Sequence, residues 1–383
     1  MARTFDGANG ASQQGRKGRL NMKRLTRKGI ERLVPYPPGK PIEELERETG
    51  IVGPIKLASN ENPLGPSPKA TAAIKENLNR IHRYPDGSCY YLRQKLAEKF
   101  GLPVRKIIVG NGSDEIIELV AHTFLSPDEE VIVPVPTFLL YGKVVESFGG
   151  KTVTVPLSDF RIDLPAILEA VSPRTKIIFI NNPNNPTGKA LKKKELSHFL
   201  HALPSDVIVV LDEAYIEFAT DPSVASLVEL LEPHPLLVVL RTFSKAYGLA
   251  GLRIGYGFAS EMIIDSLNLV RQPFNANHLA QVGALAALDD DEFVKKTLAL
   301  TRDGLEFLYS QLDRMGLEYV TTQTNFFLIK TPLGAEETYR RMLREGVIVR
   351  PMESFGLKDY IRINAGLPEE NNRFIKTLEK ILS

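Results

Sequence analysis

Short apolar runs alternate with helical stretches through the middle of the chain. The runs that predict strands are residues 106–109, 130–133, 151–155, 176–180, 207–211, 236–240 and 253–258. Several of them are apolar at every position rather than at alternate positions, which is typical of strands that helices cover on both faces. Strands that alternate with helices indicate a parallel sheet. We therefore predict a central, mostly parallel sheet with helices between its strands.

The pattern changes beyond Phe293. One long helical stretch is followed by shorter predicted strands at 326–330, 347–350 and 360–364, with helices at 335–345 and 369–382. These elements indicate an α/β fold in which a smaller α+β domain follows the large one. The predicted organisation is a tail at 1–28, an N-terminal arm at 29–55 that contributes to the small domain, a large domain at 56–290 and a small domain at 291–383.

The composition of the 383-residue chain is that of a globular protein, with 43% hydrophobic and 25% charged residues. Its net charge of +2 conceals an asymmetry, because residues 1–28 carry eight Lys or Arg against the single acid Asp6, which leaves −5 on the remainder. A nucleic-acid partner is therefore not indicated. The start of the tail is rich in Gly, Ser, Gln and Arg, which predicts a disordered or non-native extension. An organellar transit peptide is the alternative, although the amphipathic pattern is missing.

Cysteine usage and hydropathy bear on where the protein works. The single cysteine, Cys89, cannot form an intrachain disulfide, which fits the reducing cytoplasm. No apolar run approaches the roughly 18 residues that a membrane span requires. His198 and His201 are three residues apart on a predicted helix, but no third ligand lies nearby in the sequence. We therefore expect surface histidines and no metal site.

Ligands in open α/β sheets bind beyond the carboxyl ends of strands, so the residues after each predicted strand are candidates for a site. After the strand at 106–109 come residues 110–115, Gly-Asn-Gly-Ser-Asp-Glu, and then an apolar helix. Free amides at the start of a helix form a site for an anion, most often phosphate. The alternative is an ordinary turn capped by Ser113 or Asp114. Glu115 replaces the third glycine of the dinucleotide-binding motif G-x-G-x-x-G, and the chain has no Walker A loop. The sequence therefore does not indicate a nucleotide ligand.

Three further strand ends carry candidate chemistry. Residues 181–188, Asn-Asn-Pro-Asn-Asn-Pro-Thr-Gly, predict either a rigid loop of hydrogen-bond donors or a plain turn. Asp212 follows an apolar strand and needs a cationic or hydrogen-bonding partner there, unless it only caps the next turn. Lys245 follows another strand, near Arg253 in the sequence, and is a candidate nucleophile. A solvated lysine is the alternative.

Taken in chain order, these segments resemble the fold type I pyridoxal-phosphate-dependent aminotransferases. The resemblance rests on residues 59–65 (Ser-Asn-Glu-Asn-Pro-Leu-Gly), 112–115, 184–188, 212–215, 244–245 and 251–253, and runs from about residue 30 to the C-terminus. Within that family, residues 35–40, 83–86 and 212–218 are most similar to the histidinol-phosphate aminotransferases. The resemblance implies pyridoxal 5′-phosphate as cofactor. It also implies reversible conversion of L-glutamate and imidazole-acetol phosphate to 2-oxoglutarate and L-histidinol phosphate, in histidine biosynthesis.

The resemblance further implies roles for individual residues. Lys245 would bind the cofactor and move the substrate proton, Asp212 would keep the ring nitrogen protonated, and Tyr215 would hydrogen-bond the ring oxygen, which makes these three the catalytic set. The other implied cofactor-binding residues are Asn185 at the ring oxygen, Phe138 stacked on the ring, and Ser113, Asp114, Thr242, Ser244 and Arg253 at the phosphate. The implied substrate-binding residues are Asn60, Arg350 and Arg362, although either arginine could instead lie on a surface strand.

The same resemblance implies a homodimer with shared active sites, since Tyr84 would reach the cofactor phosphate of the partner subunit. The substrate stays open, because an arginine pair binds a carboxylate as well as a phosphate. The alternatives are an aromatic or broad-specificity aminotransferase and a pyridoxal-phosphate-dependent phospho-amino-acid decarboxylase. A non-catalytic α/β binding protein is a third alternative, but it would need neither Lys245 nor Asp212.

Overall fold

A computed structural model gives the structure of the protein and describes residues 26–27, 30, 33–35 and 39–383. Apart from residues 26 and 27, the predicted tail at 1–28 lies outside this part of the chain. So do Tyr36, Pro37 and Pro38, which belong to a segment that carries the resemblance. None of the helices described is both long and apolar enough to cross a membrane.

Helices and strands alternate through the middle of the described chain, from β2 to β6. The helices are α1 (Ile42–Thr49), α2 (Pro68–Asn77), α3 (Tyr90–Phe100), α4 (Ser113–Phe124), α5 (Leu140–Ser147), α6 (Leu164–Ala170), α7 (Lys193–Ala202), α8 (Glu261–Val270), α9 (His278–Ala287), α10 (Asp291–Met315), α11 (Ala335–Arg344) and α12 (Pro368–Leu382). The strands are β1 (Ile55–Lys56), β2 (Ile107–Gly110), β3 (Glu130–Val135), β4 (Lys151–Pro156), β5 (Thr175–Asn181), β6 (Ile208–Asp212), β7 (Leu237–Thr242), β8 (Gly255–Phe258), β9 (Tyr319–Val320), β10 (Phe326–Lys330), β11 (Val347–Ile348), β12 (Arg350–Pro351) and β13 (Tyr360–Asn364).

A seven-stranded sheet lies at the centre, in the order β2-β8-β7-β6-β5-β3-β4. Strands β3 to β7 run parallel to one another, and β8 is antiparallel to both β2 and β7. The prediction of a mostly parallel sheet is confirmed. The prediction of a helix in every connection is wrong at two places, because the loops that join β6 to β7 and β7 to β8 contain only 3-10 turns. At the carboxyl ends of β5 and β6, Asn181 lies directly opposite Asp212, and the adjacent strand β7 extends two residues further, to Thr242.

Two hydrophobic cores, one on each face of this sheet, explain the uninterrupted apolar runs. In β5, Ile178 and Ile180 pack into one core while Ile177 and Phe179 pack into the other, because successive side chains of a strand point to opposite faces. Strands β6 and β7 divide their side chains in the same way. Burial of both faces fixes the register of these strands. It thereby also fixes the positions of the residues at their carboxyl ends.

The C-terminal part of the chain begins with α10, a helix of 25 residues. Its four-stranded antiparallel sheet has the order β12-β13-β10-β9. The prediction of one strand at 347–350 is wrong, because the backbone changes sheets at Val349: β11 pairs in parallel with β1, whereas β12 pairs with β13. The first pairing ties the segment before the large sheet to the C-terminal part. The second sets Arg350 directly opposite Arg362.

Candidate active site

A cavity of about 270 Å³ opens where the carboxyl ends of the central strands face the C-terminal part. Every predicted site residue except Tyr84 lines it. These residues are Asn60, Ser113, Asp114, Phe138, Asn185, Asp212, Tyr215, Thr242, Ser244, Lys245, Arg253, Arg350 and Arg362. Side chains from stretches as far apart as residues 60 and 362 thus line one cavity.

Lys245 lies in the loop after β7 and lines the cavity. Its Nζ donates a hydrogen bond to the backbone oxygen of Ser59 over 3.3 Å and lies 5.6 Å from the centroid of the Tyr215 ring. The start of the same loop is braced by Thr242, whose hydroxyl oxygen accepts from the amide of Ser244 over 3.1 Å. The cavity therefore holds a primary amine against an aromatic face.

Asp212 is a buried carboxyl group at the end of β6, with only 4% of its surface exposed. Its Oδ2 accepts a hydrogen bond from the hydroxyl of Tyr141 over 2.8 Å, and its Oδ1 accepts from the amide of Ala214 over 3.1 Å. Burial raises the pKa of Asp212 to about 6, although both hydrogen bonds act to lower it. A cation placed beside this carboxyl group would stabilise its ionised form.

Tyr215 and Asn60 connect the centre of the cavity to the C-terminal part. The hydroxyl oxygen of Tyr215 accepts from Nδ2 of Asn60 over 3.0 Å, and burial raises the pKa of Tyr215 to about 12. The backbone amide of Asn60 also donates to Oδ1 of Asn364, and its backbone carbonyl oxygen accepts from Nδ2 of Asn325. Its own Oδ1 is buried and accepts no hydrogen bond from any described residue. An acceptor in that position is unusual unless a ligand or water supplies the donor.

The start of α4 forms one end of the cavity. The structure corrects the expected alternative of a cap by Ser113 or Asp114, because the helix already begins at Ser113 and its cap is Gly112, which has no side chain to offer. The amides of the first turn are consequently left for another acceptor. Arg253 lies beside them, with Nη2 3.1 Å from the carboxylate of Asp114. The helix start and the guanidinium together favour an anion.

Glycine at position 255 lets α4 approach β8 closely. A Cβ atom there would lie 2.4 Å from the backbone nitrogen of Ser113 and 3.1 Å from the carbonyl oxygen of Arg241. We expect Gly255→Ala to lower the free energy of unfolding by about 1 to 3 kcal/mol. The control is Gly251→Ala, since a Cβ there meets no atom within 4 Å. Urea unfolding of both variants checks this, and equal stability of the two would contradict it.

Two buried arginines form the wall on the side of the C-terminal part. Nη1 of Arg362 donates to Oδ1 of Asn185, and its Nη2 donates to the carbonyl oxygen of Ala58 over 2.8 Å. The guanidinium also lies 5.1 Å from the centroid of the Phe326 ring. Arg350 and Arg362 are both buried, so the alternative of surface strand residues is wrong. Because its carbonyl oxygen is taken by Arg362, Asn185 has its Nδ2 group left to donate into the cavity.

Tyr84 is the predicted site residue that lies elsewhere in the protomer. Its ring is 84% exposed and stacks on Phe274 at a centroid distance of 4.8 Å. Tyr141 and Asn181 are the residues that sequence reasoning missed. Asn181 accepts from the amide of Asn185 and lines the cavity, and it stands in the quoted loop. Tyr141 gave a weaker signal, namely its position one helical turn after Phe138.

No metal site accompanies this cavity in the part of the chain that the structure describes, where no group of three or more His, Cys, Asp or Glu is placed to hold an ion. His198 and His201 are exposed on α7, as predicted. Cys89 is buried, and burial raises the pKa of its thiol to about 11. A thiol in this state is a poor nucleophile at neutral pH.

Comparison with known proteins agrees with this geometry. The model of the family "Aminotransferase class I and II" matches residues 52–378. The chain belongs to this family. Two similar members of known name are histidinol-phosphate aminotransferase 2 of Carboxydothermus hydrogenoformans and histidinol-phosphate aminotransferase of Desulfotalea psychrophila. They are 47% and 49% identical to this aminotransferase over 94% and 92% of its length, and over 99% and 94% of their own.

Solved structures place the aminotransferase in the same fold. The crystal structure of histidinol-phosphate aminotransferase from Sinorhizobium meliloti, in complex with pyridoxal-5′-phosphate, superimposes with a TM-score of 0.85 at 26% identity. The superposition covers 96% of this chain and all of that one. The predicted fold type I architecture, with its mostly parallel sheet flanked by helices, is thereby confirmed.

Proposed function

We propose that the protein is a pyridoxal-phosphate-dependent histidinol-phosphate aminotransferase, which exchanges the amino group between L-glutamate and imidazole-acetol phosphate in histidine biosynthesis. The observation that carries the proposal is the meeting of an amine, a buried carboxyl group and an anion-binding helix start in one cavity, at Lys245, Asp212 and Ser113. The relatives that bear this name match the chain over nearly its whole length, which supports the same activity here.

The residues of the cavity fit pyridoxal 5′-phosphate. The first amides of α4, the hydroxyls of Thr242 and Ser244 and the guanidinium of Arg253 offer donors and positive charge to a phosphate group. The space between them is kept open by Gly112, where a Cβ would come within 2.7 Å of the Arg253 guanidinium. Asp212 offers a carboxylate to a cationic ring nitrogen.

When bound, the cofactor supplies an aldehyde that takes up the substrate amine and a ring that withdraws electrons from the substrate Cα. Lys245 would bind the cofactor in the resting protein, and its Nζ would then take up and return the proton of the substrate Cα. Asp212 would hold a proton on the ring nitrogen. Tyr215 and Asn185 would donate hydrogen bonds to the ring oxygen, and Phe138 would pack on the ring face.

The substrate meets the arginine wall. Arg350 and Arg362 stand opposite each other on adjacent strands, so two guanidinium groups serve one anionic group. Glutamate brings a carboxylate and histidinol phosphate brings a phosphate, and each binds in turn because the amino group is transferred in two half-reactions. Asn60 completes this wall from the N-terminal side.

The substrate proposal is tested with a panel of amino donors and 2-oxoglutarate as acceptor. We expect kcat/KM for L-histidinol phosphate to exceed that for L-phenylalanine and L-tyrosine by at least about 100-fold, because a phosphate brings more negative charge to the two guanidinium groups than a carboxylate does. Equal turnover of the aromatic amino acids would refute this substrate. Release of carbon dioxide from a phospho-amino acid would instead favour the decarboxylase alternative.

We further propose that the enzyme works in the cytoplasm as a homodimer. A single buried cysteine suits a reducing compartment. The exposed ring of Tyr84 supports the dimer, since other large apolar side chains are exposed in the isolated chain as well, among them Phe274, on which Tyr84 stacks. Further examples are Leu78, Ile81, Tyr90 and Tyr91. Covering such side chains against a second subunit would stabilise the pair.

Shared active sites predict that two inactive variants restore each other. Tyr84→Ala would lack the contact that each subunit gives to its partner, and Lys245→Ala would lack its own amine. A mixed dimer combines one intact Lys245 with one intact Tyr84, so we expect an equimolar mixture to recover up to about a quarter of wild-type activity. The measurement is transamination after co-refolding. Activity no higher than the sum of the separate variants would exclude sharing through Tyr84.

A further inference from the structure

Tyr141 contacts the carboxyl group of Asp212 from behind the cavity. It lies in α5, is fully buried and donates a hydrogen bond from its Oη to Oδ2 of Asp212 over 2.8 Å. The other carboxylate oxygen, Oδ1, accepts from the backbone amide of Ala214. Each oxygen of Asp212 is therefore held by one neutral donor. Of these two donors, only the hydroxyl of Tyr141 belongs to a side chain that can be replaced.

The direction of the Tyr141 hydroxyl is fixed independently of Asp212. The ring of Tyr141 stacks on Phe179 of β5, with a centroid distance of 4.7 Å and an interplanar angle of 2°. Its other contact is edge-to-face with Phe138, at 5.6 Å and 87°. Since Phe138 lines the cavity, one buried side chain supports both the carboxyl group and the aromatic ring that face the cofactor.

We infer that Tyr141 is a positioning residue, which keeps the Asp212 carboxylate ionised and directed at the ring nitrogen of the cofactor. The inference rests on the proposed function. A hydrogen bond donated to an ionised carboxylate stabilises the charged form. Loss of the bond moves protonation of Asp212 to higher pH, and a protonated Asp212 cannot pair with a cationic ring nitrogen.

The other groups around Asp212 oppose its ionisation or lie across the cavity. Burial makes the largest contribution that raises its pKa, and the negative charges of Asp114 at the start of α4 and of Glu213 next along the chain add to it. Tyr215 interacts with the same carboxylate, and Lys245 lines the same cavity. The hydrogen bond from Tyr141 is thus the main side-chain contact that favours the charged form.

The test measures the dissociation constant of pyridoxamine 5′-phosphate as a function of pH, on full-length protein freed of cofactor. This form of the cofactor forms no covalent bond with Lys245, so its affinity reports the surrounding contacts. As the pH falls, binding weakens once Asp212 becomes protonated. In Tyr141→Phe we expect the pH at which this weakening occurs to be about 1 to 2 units higher than in the wild type. Binding would be about tenfold weaker near pH 6 and unchanged near pH 9.

Tyr256→Phe is the matched control. Tyr256 is equally buried in the same part of the fold, but its hydroxyl has no hydrogen-bond partner among the described residues. Its profile should coincide with that of the wild type. A second comparison uses Asp212→Asn, in which the side chain no longer titrates. Adding Tyr141→Phe to that variant should produce no further displacement of the acid side.

The possible results separate the two claims. Weakening by the same factor at every pH would mean that Tyr141 only supports packing, and would overturn the inference. So would an equal displacement in Tyr256→Phe, or a displacement that persists in the Asp212→Asn background. The titratable groups of the cofactor itself contribute equally to the binding profile of every variant. The comparison is therefore between the profile of each variant and that of the wild type. Failure of the wild type to bind at any pH would instead refute the proposed function.

Discussion

Lys245→Ala is expected to lower kcat for transamination by on the order of 10⁴-fold or more, because it removes the amine that we propose both to bind the cofactor and to move the substrate proton. Folding should be preserved, since the Nζ hydrogen bond to the Ser59 carbonyl is long, at 3.3 Å. The cofactor should still bind through the start of α4 and Arg253. Its absorption, however, should be that of the free aldehyde.

Lys194→Ala is the control for this experiment, because Lys194 is exposed on α7 and lies outside the cavity. Its activity and absorption spectrum should match those of the wild type. Single-turnover kinetics would separate cofactor loading from proton transfer in the Lys245 variant. Removal of a general base lowers turnover by about 100-fold or more. If Lys245→Ala kept more than about 1% of wild-type turnover, another group would have to move the proton.

Asp212→Asn is expected to lower kcat by about 10² to 10³-fold, since it removes the charge that we propose keeps the ring nitrogen protonated. Asparagine keeps the size of the side chain and can still accept from Tyr141, so packing is conserved. KM for L-glutamate should change little, because Asp212 is proposed to contact the cofactor rather than the substrate. A fall in kcat/KM carried by KM alone would place Asp212 at the substrate instead.

The same substitution should stabilise the cofactor-free protein at neutral pH. Burial raises the pKa of Asp212 from 3.8 to about 6, so the folded state holds this proton more tightly than the unfolded state. As the pH rises from about 4 to about 6, ionisation therefore costs stability, by about 3 kcal/mol in total. Above pH 6 the deficit stays constant, and below pH 4 it vanishes.

Urea unfolding of the cofactor-free proteins at two pH values checks the sign. Asp212→Asn should be more stable than the wild type at pH 8 and equally stable at pH 4. A lower stability of the variant at pH 8 would mean that the ionised carboxylate stabilises the fold. Gain of stability with loss of activity at one residue is the pattern expected of a group that is strained for function.

The strands of the large sheet could be predicted because their signal is local. The run at 207–211 is apolar at every position, and the structure explains this by the two cores that its side chains enter. Which strands pair with each other is not determined locally, and the prediction of a single strand at 347–350 was wrong for this reason. The residues around Val349 look like one strand, yet their partners are β1 on one side and β13 on the other. Nothing in the run itself reveals that change of sheet.

Some residues of the candidate site could likewise be predicted from local sequence, and others could not. Asp212 and Lys245 could be found because they follow predicted strands, and the carboxyl ends of parallel strands meet at one edge. Arg362 and Asn60 came only from the resemblance, since no local pattern connects a residue of the last strand with one near the N-terminus. Tyr141 was missed because it lies within a helix, 71 residues from the carboxyl group that it contacts.

The pairing of β1 with β11, together with the bond from Asn60 to Asn364, has a consequence for biosynthesis of the enzyme. A ribosome releases the chain from its N-terminus, so the large sheet can form before the residues of the C-terminal part have been made. Arg362 and Asn364, which accepts from the backbone amide of Asn60, emerge after every strand of that sheet. A complete pocket, and with it capture of the vitamin-derived group, must therefore await synthesis of β13.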